Sequence, residues 1–227
     1  MKNTLKLWAA ACCLVFLSAG LIFAQEKKIT AAEMTAVQNK AKEKLNGQRY
    51  RVRMTSGVYQ NPNSKTPSWS GKTITEYAPE GIHSITEAND NGQRSRRETI
   101  TLGERRFVKT NDEAWKELSS GQEGGGGFVN MGTTVPVSKE DKSIEYKYLG
   151  KKSVDNREAE VYQIKTRLNI ASNFTTGVSV STERFWYDAD NRLIKTERES
   201  RFNDKPVQDM VLLYEYDPTI KIEAPVK

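Results

Sequence analysis

The chain has 227 residues, 37% of them hydrophobic and 28% charged, a mean hydropathy of −0.69 and a formal net charge of +6. That length fits one large domain or two small ones, and the composition excludes a polytopic membrane protein, a collagen and a disulfide scaffold. The apolar share is low, but the charge is modest and 9% of residues are aromatic. Those features point to a thin-cored, β-rich domain rather than a disordered chain.

Met1 to Ala24 reads as a secretory signal. Lys2 and Lys6 make a charged start, Leu7 to Phe23 is a nearly continuous apolar run, and Ala24 is a small residue at the cleavage point. The run also approaches the length of a membrane span, so an uncleaved anchor is the alternative. Both cysteines, Cys12 and Cys13, lie inside it. A lipoprotein cysteine would follow the run, so lipidation is not expected. The expected product is an exported protein, periplasmic or secreted, covering residues 25–227. Without cysteine it can form no disulfide and has no thiol nucleophile.

Gln25 to Lys28 reads as a polar leader. The pattern then predicts a helix over Thr30 to Leu45. Thr30 and Glu33 match a capping box, and Met34, Val37, Ala41 and Leu45 form one apolar stripe. Lysines crowd its last turns and Gly47 stops it.

From Gln48 the period changes to two. Tyr50, Val52 and Met54 face one way, and Arg49, Arg51 and Arg53 the other. Gly57 to Gly71 reads as a polar stretch carrying Trp69. Short strands follow over Lys72–Ala78, Ile82–Ala88, Gln93–Leu102 and Arg105–Thr110, separated by turns, with Trp115 just beyond. Ser119 to Thr134 holds six glycines and reads as a surface loop, with an apolar end that includes Phe128. It lacks the Gly-Lys-Ser/Thr of a phosphate-binding loop. Strands resume at Ile144–Tyr148, Glu158–Asn169, Val178–Tyr187, Arg192–Phe202 and Val207–Tyr216, and Ile220 to Val226 is an extended tail. The last strand is apolar on both faces, which predicts a central position or a cover.

Enzyme chemistry finds little support. His83 is the only histidine and sits in a predicted strand, with no Gly-x-Ser-x-Gly elbow anywhere. A mature chain with one histidine and no cysteine offers no zinc or copper site, and no cofactor is expected. Asp188, Asp190 and Asn191 read as a hairpin turn rather than a calcium loop. A carboxylate-based hydrolase stays open as a remote option, because such pairs leave no sequence mark. Arg94, Arg96 and Arg97, with Arg105 and Arg106, form the densest basic cluster, either a solvated face or a seat for an anionic head group or a partner. No nucleic-acid partner is expected of an exported protein.

The mature chain resembles the LolA/LolB-like family of periplasmic lipoprotein carriers. The resemblance rests on the helix leading into Tyr50-Arg51-Val52-Arg53-Met54 and on the run Arg106-Phe107-Val108-Lys109-Thr110 ending in Trp115. It rests also on Phe185-Trp186-Tyr187-Asp188 with its hairpin, and on the close Tyr214-Glu215-Tyr216-Asp217-Pro218. It implies a mainly β (α+β) fold: a curved antiparallel sheet, or incomplete β-barrel, with the amino-terminal amphipathic helix packed on it. It also implies a hydrophobic cavity for acyl chains and no catalytic residue. The expectation is therefore a single non-enzymatic domain that holds a lipid, an acylated protein or another amphiphile. Tyr50, Val52 and Met54 would line its concave face, and Trp69, Trp115 and Phe128 its mouth. Once the signal is removed, such a protein is not integral to the membrane. The alternative is a structural or regulatory envelope protein that acts through contacts with another protein.

Overall fold

A computed structural model describes residues 26–61, 63–118, 141–171 and 176–225. The signal segment, the glycine-rich stretch and Phe128 lie outside these residues. The described chain forms one twelve-stranded antiparallel sheet and one α-helix. In chain order the elements are β1 (Lys27–Lys28), α1 (Ala31–Leu45), β2 (Tyr50–Val58), β3 (Trp69–Ala78), β4 (Gly81–Asp90), β5 (Gln93–Leu102) and β6 (Arg105–Thr110). They continue as β7 (Lys116–Leu118), β8 (Lys142–Val154), β9 (Arg157–Ala171), β10 (Thr176–Tyr187), β11 (Leu193–Phe202) and β12 (Lys205–Tyr216).

Two meanders, β2 to β7 and β8 to β12, join where β12 pairs with β2. The sheet stays open, with β7 at one end of the order and β1 at the other. The leader is therefore not idle: Lys27 and Lys28 pair with Tyr148 and Lys147 to cap the β8 edge. The two-sided apolar strand β12 sits in the middle of the sheet, as its pattern predicts. The stretch 57–71 is mostly strand at its ends, since β2 runs to Val58 and β3 starts at Trp69.

Turn chemistry explains the hairpins. Asn91-Gly92, Asp155-Asn156 and Asn203-Asp204 all have positive φ at both residues. Paired positive φ is what a two-residue turn needs to match the twist of its strands. The helix begins as its sequence predicts. The Glu33 N–H donates to the Thr30 hydroxyl at 3.2 Å, and the Thr30 N–H donates to the Glu33 carboxylate at 2.7 Å.

The path of α1 follows from its ends. It leaves β1, with the Ile29 N–H bonded to the Tyr146 carbonyl on β8, and it delivers the chain to β2. Those strands lie five steps apart in the sheet, about 24 Å at the usual strand spacing. Fifteen helical residues span about 22 Å. The helix thus crosses the sheet over the intervening strands and buries Met34 and Ala41. No described helix is long and apolar enough to cross a membrane.

The core is divided, as a thin apolar supply requires. One cluster joins Leu149, Ala159, Val161, Trp186 and Ile194. Another joins Ile100 and Phe107 to Ile220 and Ile222 of the carboxy-terminal tail, with Trp115 packed against it. The tail is tied down by Arg49, which donates to Glu80 and to the Ile220 carbonyl.

Candidate functional site

Residues directly opposite in an antiparallel ladder share a face. Register therefore carries one face from strand to strand. On β2 it holds Tyr50, Val52, Met54, Ser56 and Val58. On β3 it holds Tyr77, Thr75, Thr73, Gly71 and Trp69, and on β12 Tyr216, Tyr214, Leu212 and Met210. Tyr162 and Tyr148 continue it on β9 and β8, and Tyr187 meets Tyr162 edge to face at 5.8 Å. With Tyr146 included, eight of the nine tyrosines lie on this side of the sheet.

The rings form a belt. Tyr50 stacks on Tyr77 at 4.7 Å and tilts against Tyr216 at 6.1 Å, while Tyr148 and Tyr162 stand 5.1 Å apart. Asn39, Lys42, Leu45 and Gly47 of the helix end border, with Tyr50, an open hollow of about 660 Å³. Burial governs the phenols. It pushes Tyr50 up to about 12, helped by Tyr77 and Tyr214, and it raises Tyr77, Tyr162, Tyr187, Tyr214 and Tyr216 as well. These hydroxyls stay protonated, so they serve as hydrogen-bond donors at the rim of an apolar surface.

On β3 to β5 the same face turns to hydroxyls. Thr73 bonds Thr86 at 3.2 Å and Thr75 bonds Ser84 at 3.1 Å. Thr99 and Thr101 extend the array on β5. This surface is less greasy than the cavity that the resemblance implies. Trp69 supplies an exception. Its ring lies on Gly71, where a Cβ would come within 2.5 Å of it, so only glycine admits that packing.

The opposite face carries a charged ladder across five strands. Arg53 and Arg51 hold Glu215 at 2.9 and 3.5 Å, and Arg51 holds Glu76 at 2.6 Å. His83 bridges Glu76 at 3.3 Å and Glu98 at 2.9 Å, and Arg96 closes the row on Glu98 at 3.3 Å. Burial pushes the Glu76 carboxyl up, but hydrogen bonds from Arg51 and His83 outweigh it and hold the group below its ordinary range. Farther along, an open hollow of about 920 Å³ is lined by Lys72, Glu87, Arg94, Arg96, Asn111 and Asp112.

No protein-family model and no curated protein matches the chain. Among solved structures the fold is similar to LprF from Mycobacterium bovis. The two are 9% identical, with a TM-score of 0.46, over 87% of this chain and 99% of that one.

The structure puts Tyr50, Val52 and Met54 on one face, as the alternation predicts, and the β2–β3 register adds Trp69 to it. Val52 is buried, whereas Met54 is half-buried. It does not bring Trp115 to them. That indole packs on the opposite side against the cluster of Ile100, Phe107, Ile220 and Ile222. The arginine cluster also divides. Arg94 and Arg96 share the charged face, while Arg97 pairs with Thr86 and belongs to the tyrosine face. Sequence reasoning missed Tyr77, Tyr162 and Tyr187 as members of the site. Their signal was present as alternation within each strand, but only the pairing register shows that those faces join.

Proposed function

We propose that the protein is an exported, non-enzymatic binder or carrier of an amphiphile, held on the tyrosine face of its open sheet. The observation that carries this reading is the face itself. It joins aromatic and aliphatic side chains to protonated phenols and hydroxyls, with an open hollow between Tyr50 and the end of the helix. A tyrosine presents an apolar body and a polar tip, which suits a molecule with an acyl chain and a polar end. Binding sites of this kind are mostly apolar, with few fixed polar groups. Nothing in this chemistry calls for a nucleophile or a bound metal.

The test uses protein purified from the exported fraction without detergent. Native mass spectrometry reads any co-purifying lipid, and titration with a fluorescent fatty acid reads affinity after solvent extraction. The expected result is a lipid mass lost on denaturation and saturable probe uptake. Met54→Asp is the informative variant, because Met54 lies between Thr73 and Leu212 on the proposed face without being fully buried. It should abolish uptake with the circular dichroism unchanged. Val52→Asp is a poorer probe, since a charge at a buried site disturbs folding as well. A bare polypeptide mass with no probe uptake rejects the carrier reading and favours a role in protein–protein contact.

A further inference from the structure

The two meanders differ in charge on the tyrosine face. Over β2 to β7 that face carries Arg97, Arg106 and Lys116, and Asp90 is its one carboxylate among the described residues. Asp90 pairs with Gln93, four residues along β5 from Arg97 on the side away from Arg106, which pairs with Thr101. Lys116 is engaged by Glu113 at 2.7 Å. Arg97 and Arg106 enter no ion pair among the described residues. The Arg106 Nε is shut off from solvent and has no hydrogen-bond partner among the described residues. A guanidinium nitrogen kept in that state is costly unless something accepts from it.

We propose that Arg97 and Arg106 form the seat of the amphiphile's anionic head group, a phosphate or carboxylate. This rests on the reading of the tyrosine face as an amphiphile site. Register sets the geometry. Arg97 lies on the row Met54, Thr73, Thr86, Arg97, Thr110, three strand steps or about 14 Å from Met54. Arg106 lies on the row Tyr50, Tyr77, Ile82, Thr101, Arg106, Leu118. Thr99 and Val108 lie between the two arginines on the same face. The acyl chain runs toward β2 and β12, and the threonine hydroxyls flank the head group. Guanidinium forks fit the planar oxygens of such a group, and the hydroxyls add donors without adding negative charge. The neighbouring Arg94 and Arg96 take no part, because they point to the other face.

The experiment compares two probes that share a lauroyl chain and a glycerol: lauroyl lysophosphatidylglycerol, which is anionic, and monolauroylglycerol, which is neutral. Affinities are measured on the full exported protein by calorimetry. The anionic probe should bind about tenfold tighter, the scale of one charge-assisted hydrogen bond. Arg97→Gln and Arg106→Gln should each erase most of that difference and leave the neutral probe unchanged. Arg106→Lys should restore part of it. Lys109→Gln on the opposite face removes the same charge and should change nothing. Inorganic phosphate should displace the anionic probe only weakly if the head group belongs to a lipid, and strongly if the seat serves a free anion; either confirms the anion seat. Equal affinity for both probes in the wild type, or an equal loss in Lys109→Gln, overturns the seat while the carrier reading survives. Failure of both probes to bind overturns both.

Discussion

Tyr50 and Tyr77 stack across β2 and β3 with ring centroids 4.7 Å apart and planes 16° from parallel. They lie directly opposite in the ladder, so the stack fixes register within the first meander. Aromatic pairs add about 0.5–1.5 kcal/mol beyond the area they bury. Tyr50→Leu and Tyr77→Leu should each destabilise the fold, and the double variant should lose less than their sum. A double-mutant cycle by urea unfolding reads the coupling. Strict additivity would show that the rings are neighbours without being partners.

The same burial makes the fold sensitive to alkali. Tyr50 is held up to about 12, above its unfolded value near 10. A group with a raised folded pKa contributes stability below its unfolded pKa and loses it as the pH climbs toward the folded value. The belt should therefore stay intact to about pH 10 and fail between about 10 and 12. Absorbance at 295 nm should show tyrosine ionisation delayed past the free value and concurrent with loss of the β signal in circular dichroism. Reversible titration near pH 10 with the sheet intact would contradict the buried belt.

The charged ladder has the opposite sign. Glu76 is held below its ordinary range by Arg51 and His83, against the upward pull of burial. Its stabilisation is present above the unfolded carboxylate pKa and is lost as the pH falls through the folded one. Glu76→Gln should therefore lower the melting temperature at pH 7, by the equivalent of about 1 kcal/mol for lost hydrogen bonds. The gap to wild type should shrink below about pH 4 and close in stronger acid. A gap that stays constant from pH 7 to pH 3 would mean that the carboxylate charge is not what the ladder uses.

Much of this architecture is written locally. The capping pair Thr30 and Glu33, and the turn pairs Asn91-Gly92 and Asp155-Asn156, announce themselves because their physics lies within four residues. Period-two alternation assigns Tyr50, Val52 and Met54 to one side. What it cannot do is match sides between strands. Met54 faces Leu212 across a separation of more than 150 residues, and no local pattern encodes that pairing. Trp115 shows the same gap: its cover, Ile220 and Ile222, comes from the far end of the chain. The arginine cluster was legible in part, since period two alone sends Arg96 and Arg97 to opposite faces. The edge strand at Lys27 and Lys28 was not, because two exposed lysines carry no pattern and pair only through backbone.

The tail offers the most direct check on where the core lies. Ile220 and Ile222 are buried against Ile100 and Phe107, and the Ile222 N–H bonds to Glu80 at 3.4 Å while Arg49 holds the Ile220 carbonyl. A segment with no helix or strand of its own thus completes an apolar cluster. Ile222→Ala should cost about 2–4 kcal/mol, the range for emptying a buried aliphatic site. Phe107→Ala should cost about 3–5 kcal/mol. Because the two side chains share one cluster, the double variant should cost clearly less than the sum, since the second truncation enlarges a cavity already made. Unfolding in urea reads all three. If Ile222→Ala is neutral, the tail only lies on the surface, and the burial of Ile100 and Phe107 must come from elsewhere.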